Sequence, residues 1–123
     1  MLRNYRDLKV WQKSYTLCLE VYKLLKGFPV EERYGLTLQM RRSVVSIPSN
    51  IAEGYGRRGK QEYIHYLYVA YGSYCEFETQ LILSSDLGYI KKETFEKIFE
   101  MAREVERMLK ALIDSLEKKP SKP

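Results

Sequence analysis

One predicted helix of this sequence contains a proline at its centre, and that proline limits how the chain can pack. Apolar residues recur every three or four positions around it, a spacing that predicts a helix over about residues 35–57. These residues are Leu36, Met40, Val44, Ile47, Ile51 and Tyr55. Pro48 cannot donate a hydrogen bond to the Val44 carbonyl, which costs roughly 3 kcal/mol inside a helix. We therefore expect a bent helix whose tertiary packing outweighs that cost.

Small polar residues surround the proline, and they predict how the groups that it leaves unpaired are satisfied. Ser43, Ser46, Ser49 and Asn50 can hydrogen-bond nearby backbone and let another helix approach closely. Two interpretations stay open, a bent core helix without further purpose or a bend that shapes a functional or oligomeric surface. We interpret the segment as a structural motif that sets the bend and the packing of subunits. Its members are Arg41, Arg42, Ser46, Pro48, Asn50, Glu53, Gly54 and, on the next helix, Glu78.

Three further segments carry a helical spacing of apolar residues. They cover about residues 8–26, 60–86 and 91–116, and short connections separate successive helices. Short connections favour antiparallel neighbours, so we predict an all-α, antiparallel up-down-up-down four-helix bundle with a proline-kinked second helix. Asp7 is the expected N-cap of the first helix, and Gly88 is the expected residue just past the third. The bundle is expected over residues 1–117, with a flexible tail over 118–123.

Two of these helices carry more apolar surface than the core of one bundle needs. The first helix has one apolar stripe through Trp11 and Tyr15 and a second through Leu17 and Val21. The third helix also has two stripes, one of which includes Tyr68. A second stripe needs a neighbouring surface to cover it, which favours a homo-oligomer.

The composition indicates an ordinary globular domain. The chain has 123 residues, of which 45% are hydrophobic and 30% charged, and it is long enough to bury a core. No apolar run reaches the roughly 18 residues of a membrane helix, and the first residues lack the apolar core of a signal peptide. We therefore expect a cytoplasmic protein without membrane contact. The net charge of +5 permits an anionic partner without requiring one.

Residue types that usually carry enzyme chemistry are scarce. His65 is the only histidine, and the sequence contains neither C-x-x-C nor H-E-x-x-H, so we predict no metal site and no cofactor. Residues 54–59 spell G-x-G-x-x-G, but a helix precedes them where a dinucleotide site requires a strand. Glu76 and Glu78 have no nucleophile or metal ligand beside them in the pattern. We therefore expect a protein that is not an enzyme.

One charged residue of the third helix predicts a contact inside the bundle. Glu78 falls on an apolar stripe, where a carboxylate needs a partner. An antiparallel pair of second and third helices would bring this region near Arg41 and Arg42. We predict an ion pair between Arg41 and Glu78.

The connection between the second and third helices carries basic residues. Arg57, Arg58 and Lys60 lie where unpaired backbone N–H groups and the helix dipole both favour an anion. Tyr55 and Tyr63 flank them and offer rings on which bases can stack. These five residues, called the basic elbow below, form the predicted site for RNA or DNA.

Several segments of the chain resemble one known bacterial family. They include Asp7-Leu-Lys-Val-Trp-Gln12 and the run Ser46-Ile-Pro-Ser-Asn-Ile-Ala-Glu-Gly54, and the similarity extends over nearly the whole chain. The family consists of four-helix-bundle proteins encoded in intervening sequences of large-subunit ribosomal RNA genes. The chain is also similar, more distantly, to the accessory protein of diversity-generating retroelements. The resemblance implies a ring-like homopentamer with a role involving RNA or DNA, and no catalytic residues.

Two functions from different classes follow from these observations. The first is a non-enzymatic homo-oligomer that contacts RNA or DNA through the basic elbow, and the resemblance implies that this oligomer is a pentamer. The alternative is a protein-interaction scaffold or accessory subunit that docks a partner protein on the oligomer surface. Salt separates the two, because phosphate contacts weaken steeply as salt rises whereas apolar contacts change little.

Overall fold

The computed structural model describes residues 4–118 of the chain. Four helices follow one another there: α1 (Lys9–Leu25), α2 (Leu36–Tyr55), α3 (Lys60–Asp86) and α4 (Lys92–Lys118). Two short 3-10 helices, Tyr5–Asp7 and Val30–Glu32, precede α1 and α2. The described residues contain no strand, and the predicted all-α class is confirmed.

Each helix packs against two others, so the four form a closed bundle in the order α1, α2, α3, α4. Contacts between α2 and α3 show their relative direction. Ser43 Oγ donates to Gln80 Oε1 at 2.7 Å, and the hydroxyls of Ser46 and Ser73 lie 2.8 Å apart. Residue numbers rise along one helix as they fall along the other, which makes the pair antiparallel. The fully buried core draws on all four helices, through residues such as Leu17, Val21, Met40, Ile47, Leu67, Phe77, Ala102 and Leu109.

The helix ends show one correct and one wrong prediction. Gly88 follows α3 with a φ of 83°, a left-handed conformation that glycine adopts without strain, as predicted. The prediction that Asp7 caps α1 is wrong, because α1 begins after Leu8 and Asp7 belongs to the preceding 3-10 helix. Asn4 caps that 3-10 helix, with its side-chain oxygen 2.8 Å from the backbone nitrogen of Arg6.

Pro48 lies inside α2, which continues through it from Leu36 to Tyr55. The Val44 carbonyl, which Pro48 leaves without its helical donor, accepts a hydrogen bond from the Cys18 thiol of α1 at 3.2 Å. Burial raises the pKa of Cys18 to about 12, so the thiol keeps the proton that it donates. The compensating donor is therefore a cysteine of another helix rather than one of the nearby serines. The bend at Pro48 stays a prediction.

The small residues of α2 bring α3 close to it. Asn50 Nδ2 donates to the Ser46 carbonyl at 2.8 Å, and the Ser46 hydroxyl reaches α3. At Gly54 an added Cβ would lie 2.8 Å from the Cβ of Tyr66 and 3.1 Å from the carbonyl oxygen of Tyr63. Such distances leave no room for a side chain, so glycine at this position permits the close packing of the two helices.

A carboxylate at the opposite end of the bundle ties two connections together. Glu32 accepts a hydrogen bond from the backbone N–H of Leu36 at 3.0 Å and another from the Tyr89 hydroxyl at 2.9 Å. The first bond satisfies the N–H group of the first residue of α2, and the second joins the N-terminus of α2 to the connection between α3 and α4. Lys118, assigned to the predicted tail, ends α4, and the other residues of that tail, 119–123, lie outside the described residues.

Candidate nucleic-acid interface

The basic elbow lies at the end of the bundle where α2 gives way to α3. Gly59 is the N-cap of α3 and supplies no side-chain hydrogen bond to the first turn. The backbone N–H groups of that turn are therefore not satisfied by a capping side chain, and the helix dipole directs its positive end toward the elbow. Arg58 is exposed beside this turn, and Lys60 is its half-buried first residue.

Arg57 is held by neighbouring side chains. Its guanidinium lies 2.7 Å from Glu53 Oε2, 2.9 Å from the Tyr66 hydroxyl and 3.9 Å from Glu62 Oε2. The Arg57 guanidinium also lies over the Tyr66 ring, 5.1 Å from its centre. Interaction with Tyr66, followed by the hydrogen bond with Glu53, raises the pKa of Arg57. Two carboxylates therefore compete with any phosphate for this arginine.

Arg58 differs from Arg57 in having no ion-pair partner among residues 4–118. Lys60 adds a second cation close by in the sequence. The three basic residues of the elbow together with Glu53 and Glu62 carry a formal net charge of +1. The elbow is therefore a weakly cationic surface in one copy of the chain, and Arg58 is its most available guanidinium.

The two tyrosines of the elbow contact each other. Tyr55 and Tyr63 meet edge to face, with ring centres 5.9 Å apart and planes at 87°. Both rings pack partly against the core, and burial raises the pKa of Tyr63 to about 12. Each ring is only half-buried, so part of each still reaches the surface. Tyr66 lies closer to the basic side chains, and the sequence analysis missed it together with Glu62.

The predicted ion pair between Arg41 and Glu78 is wrong. Glu78 accepts a hydrogen bond from the Tyr74 hydroxyl at 2.6 Å, on the same helix. The Arg41 guanidinium lies on the other side of α2, over the Tyr22 ring of α1 at 5.4 Å from its centre. Register explains the error, because Ser43 lies opposite Gln80 and residue 41 therefore lies nearer residue 83 than 78. Arg42 is exposed and has no ion-pair partner in the described residues.

The described residues contain no group of three or more histidine, cysteine, aspartate or glutamate side chains that could hold a metal ion. None of the helices between residues 4 and 118 is both long and apolar enough to cross a membrane. Cys18 is buried and Cys75 exposed, and both are free thiols.

Comparison with known proteins identifies a family and several solved structures that resemble the chain. A family model described as 23S rRNA-intervening sequence protein matches residues 6–111 of the chain. A crystal structure of a protein with unknown function, from the S23 ribosomal protein family of Bacteroides thetaiotaomicron, shares 27% sequence identity with it and superimposes with a TM-score of 0.79. That similarity covers 85% of this chain and 95% of the other. No curated protein matches the chain.

Proposed function

The chain belongs to the 23S rRNA-intervening sequence protein family, and from this premise we propose a non-enzymatic homo-oligomer that binds RNA or DNA through the basic elbow. The family resemblance seen in the sequence is thereby confirmed, whereas the more distant similarity to the accessory protein of diversity-generating retroelements stays a prediction. Neither the family description nor that of the crystal structure mentions an enzymatic activity.

The observation that carries the nucleic-acid part of this proposal is the position of Arg58. Its guanidinium is exposed, lacks a carboxylate partner among the described residues, and adjoins the uncapped first turn of α3. A phosphate at this position would meet backbone N–H groups, the positive end of a helix dipole and a guanidinium together. Arg57 is not assigned this phosphate contact, because hydrogen bonds to Glu53 and Tyr66 hold its guanidinium at the edge of the same surface.

Assembly would raise the affinity of so weak a site. One elbow carries a net charge of only +1 when its neighbouring carboxylates are counted. In the pentamer that the family resemblance implies, several elbows would act on one polymer, and the second contact would form at high effective concentration. Exposed apolar side chains support assembly, since Tyr15, Leu19 and Tyr22 form a solvent-facing stripe on α1.

Fluorescence anisotropy with labelled structured RNA and with duplex DNA, across a salt series, tests the proposal. We expect binding that weakens steeply with salt. R58A should weaken binding to all sequences and reduce the steepness of log K against log salt by about 1 for each elbow that contacts the nucleic acid. The double variant R58A/K60A should weaken it further. K91A/K92A removes the same charge from the opposite end of the bundle and serves as the matched control. Equal loss in the control, or no binding at low salt, would refute the elbow as the site.

The alternative function is a scaffold or accessory subunit that docks a partner protein. The specific observation in its favour is the exposed apolar surface, which includes Leu19 at 49% exposure and Leu83 at 46%. Its binding would change little between low and high salt, and R58A/K60A would leave it intact. The same salt series applied to a candidate protein partner therefore separates the two functions.

A further inference from the structure

The outer surface of the bundle has an apolar groove between α1 and α2, called the α1–α2 groove below. One part is a cavity of about 300 Å³ lined by the aromatic rings of Trp11 and Tyr15 on one side and by Pro48 on the other. The groove continues past Val45, which lines both this cavity and the next, toward Arg41. Its floor is thus apolar, and its far end is cationic.

The two arginines at that end are not neutralised. Arg41 lies over the Tyr22 ring, and neither Arg41 nor Arg42 forms an ion pair with any of residues 4–118. A surface that joins exposed apolar side chains to unpaired guanidinium groups fits a partner that is apolar and locally acidic.

The outer face of α3 has that chemistry. Val69, Glu76 and Leu83 recur at intervals of seven residues, which places them on one side of the helix. Val69 and Leu83 are 39% and 46% exposed, so their side chains are unprotected in a single copy. Glu76 lies between them, is exposed, and is hydrogen-bonded by Gln80 Nε2 at 3.3 Å without an ion-pair partner in the described residues.

The spacing of charged and apolar groups agrees between the two surfaces. Seven residues of helix rise about 10.5 Å. That interval separates Glu76 from Val69 and from Leu83, and the same interval separates Arg41 from Pro48. When Glu76 of α3 lies against Arg41, either Val69 or Leu83 of α3 therefore lies beside Pro48 in the groove.

We propose that the outer face of α3 in one copy of the chain docks in the α1–α2 groove of a second copy, with Glu76 paired to Arg41 and Arg42. This inference rests on the proposed homo-oligomer and specifies its interface. The two surfaces differ, so the contact is head-to-tail, and every added copy presents an unused groove or an unused α3 face. Assembly through such a contact continues until the copies close into a ring.

The molar mass of the full chain in solution, measured by light scattering after size exclusion, tests the pairing by charge reversal. E76R and R41E/R42E should each reduce the assembly to the 14.6 kDa protomer, and the combined variant E76R/R41E/R42E should restore the wild-type mass. E96R changes the charge of an exposed α4 residue by the same amount and should assemble normally. Circular dichroism of each variant verifies that the helices are formed.

Each outcome has a defined meaning. Wild-type mass for E76R, or failure of the combined variant to reassemble, overturns the proposed pairing while leaving the homo-oligomer intact. A wild-type chain that is itself a 14.6 kDa monomer overturns the homo-oligomer and the interface with it. Nucleic-acid binding by that monomer would still be measurable, so the two proposals fail separately.

A mixing experiment tests the head-to-tail geometry. V45R places a cation in the groove and should block it, whereas E76R blocks the α3 face, and each variant alone should be monomeric. In an equal mixture the intact groove of E76R accepts the intact α3 face of V45R, while the remaining two surfaces repel each other. We expect a species of two chains and no larger assembly. Monomers only, or assemblies of more than two chains, would contradict a head-to-tail contact.

Discussion

Replacing Cys18 by alanine should destabilise the bundle through a carbonyl on a different helix. The Cys18 thiol donates to the Val44 carbonyl at 3.2 Å, and Val44 is fully buried, so C18A leaves this carbonyl without its side-chain donor. An unsatisfied buried acceptor costs about 1–3 kcal/mol. The lost sulfur contact adds to this, and we expect C18A to lower the free energy of unfolding by roughly 2–4 kcal/mol in total.

Pro48 makes this prediction testable as a double-mutant cycle. P48A restores an N–H group that can donate to the Val44 carbonyl, so the thiol becomes redundant for that acceptor. The cost of C18A should then fall by about 1–2 kcal/mol in the P48A background, because only the packing loss remains. The cycle compares the cost of C18A in the presence and in the absence of Pro48. Any stabilising or destabilising effect of P48A itself on packing therefore cancels.

Urea unfolding at one fixed protomer concentration provides the measurement, since assembly makes apparent stability depend on concentration. C75A is the matched control, because Cys75 is exposed and its loss should change stability by no more than about 0.5 kcal/mol. An equal cost of C18A with and without Pro48 would show that the thiol does not compensate for the proline, and the explanation given for this helix would be wrong.

Two glycine variants and one acidic residue give further predictions. G54A should lower the free energy of unfolding by about 1–3 kcal/mol, because its added Cβ would lie 2.8 Å from the Cβ of Tyr66. G72A should raise the free energy of unfolding by about 0.5–1 kcal/mol, because no atom lies within 4 Å of its added Cβ and alanine is favoured over glycine inside a helix. The hydrogen bond from the Leu36 backbone lowers the pKa of Glu32 in the folded protein. The ionised Glu32 carboxylate therefore stabilises the fold above about pH 4.3, and this stabilisation is lost as the pH falls through the lowered pKa of the folded state. The difference in Tm between wild type and E32Q should therefore shrink on acidification. A difference that does not change with pH would count against this reading of Glu32.

The sequence predicted the helices and their antiparallel order because apolar spacing and short connections are local properties. Gly88 was predictable for the same reason, as the residue that ends α3 with a positive φ. The donor to the Val44 carbonyl was not, because Cys18 lies 26 positions away and only the packing of α1 on α2 brings it there. Apolar spacing identified Cys18 as buried without indicating which group it would meet.

Contacts of charged residues between α2 and α3 could not be predicted reliably, because the sequence does not specify how the two helices are aligned along their axes. The pairing of Arg41 with Glu78 failed because antiparallel order alone leaves the alignment of two helices open by a turn or more. The contact of Arg57 with Glu53 was readable from the sequence, since Glu53 lies in the last turn of α2 and Arg57 follows it by four residues. Tyr66 required the angle between α2 and α3, which no local pattern specifies.

The polar contacts between α2 and α3 determine which alignment of these helices is stable. Their apolar residues repeat along both helices, so a slide of about one turn would still bury much of the same apolar area. Such a slide would separate Ser43 from Gln80 and Ser46 from Ser73, two pairs that now lie within 2.8 Å. Within residues 4–118 no buried side-chain polar atom lacks a partner, so the observed alignment leaves none of these groups unsatisfied. Ser43 and Ser46 therefore favour the native alignment of α2 with α3 over alignments that are shifted along the helix axis during folding.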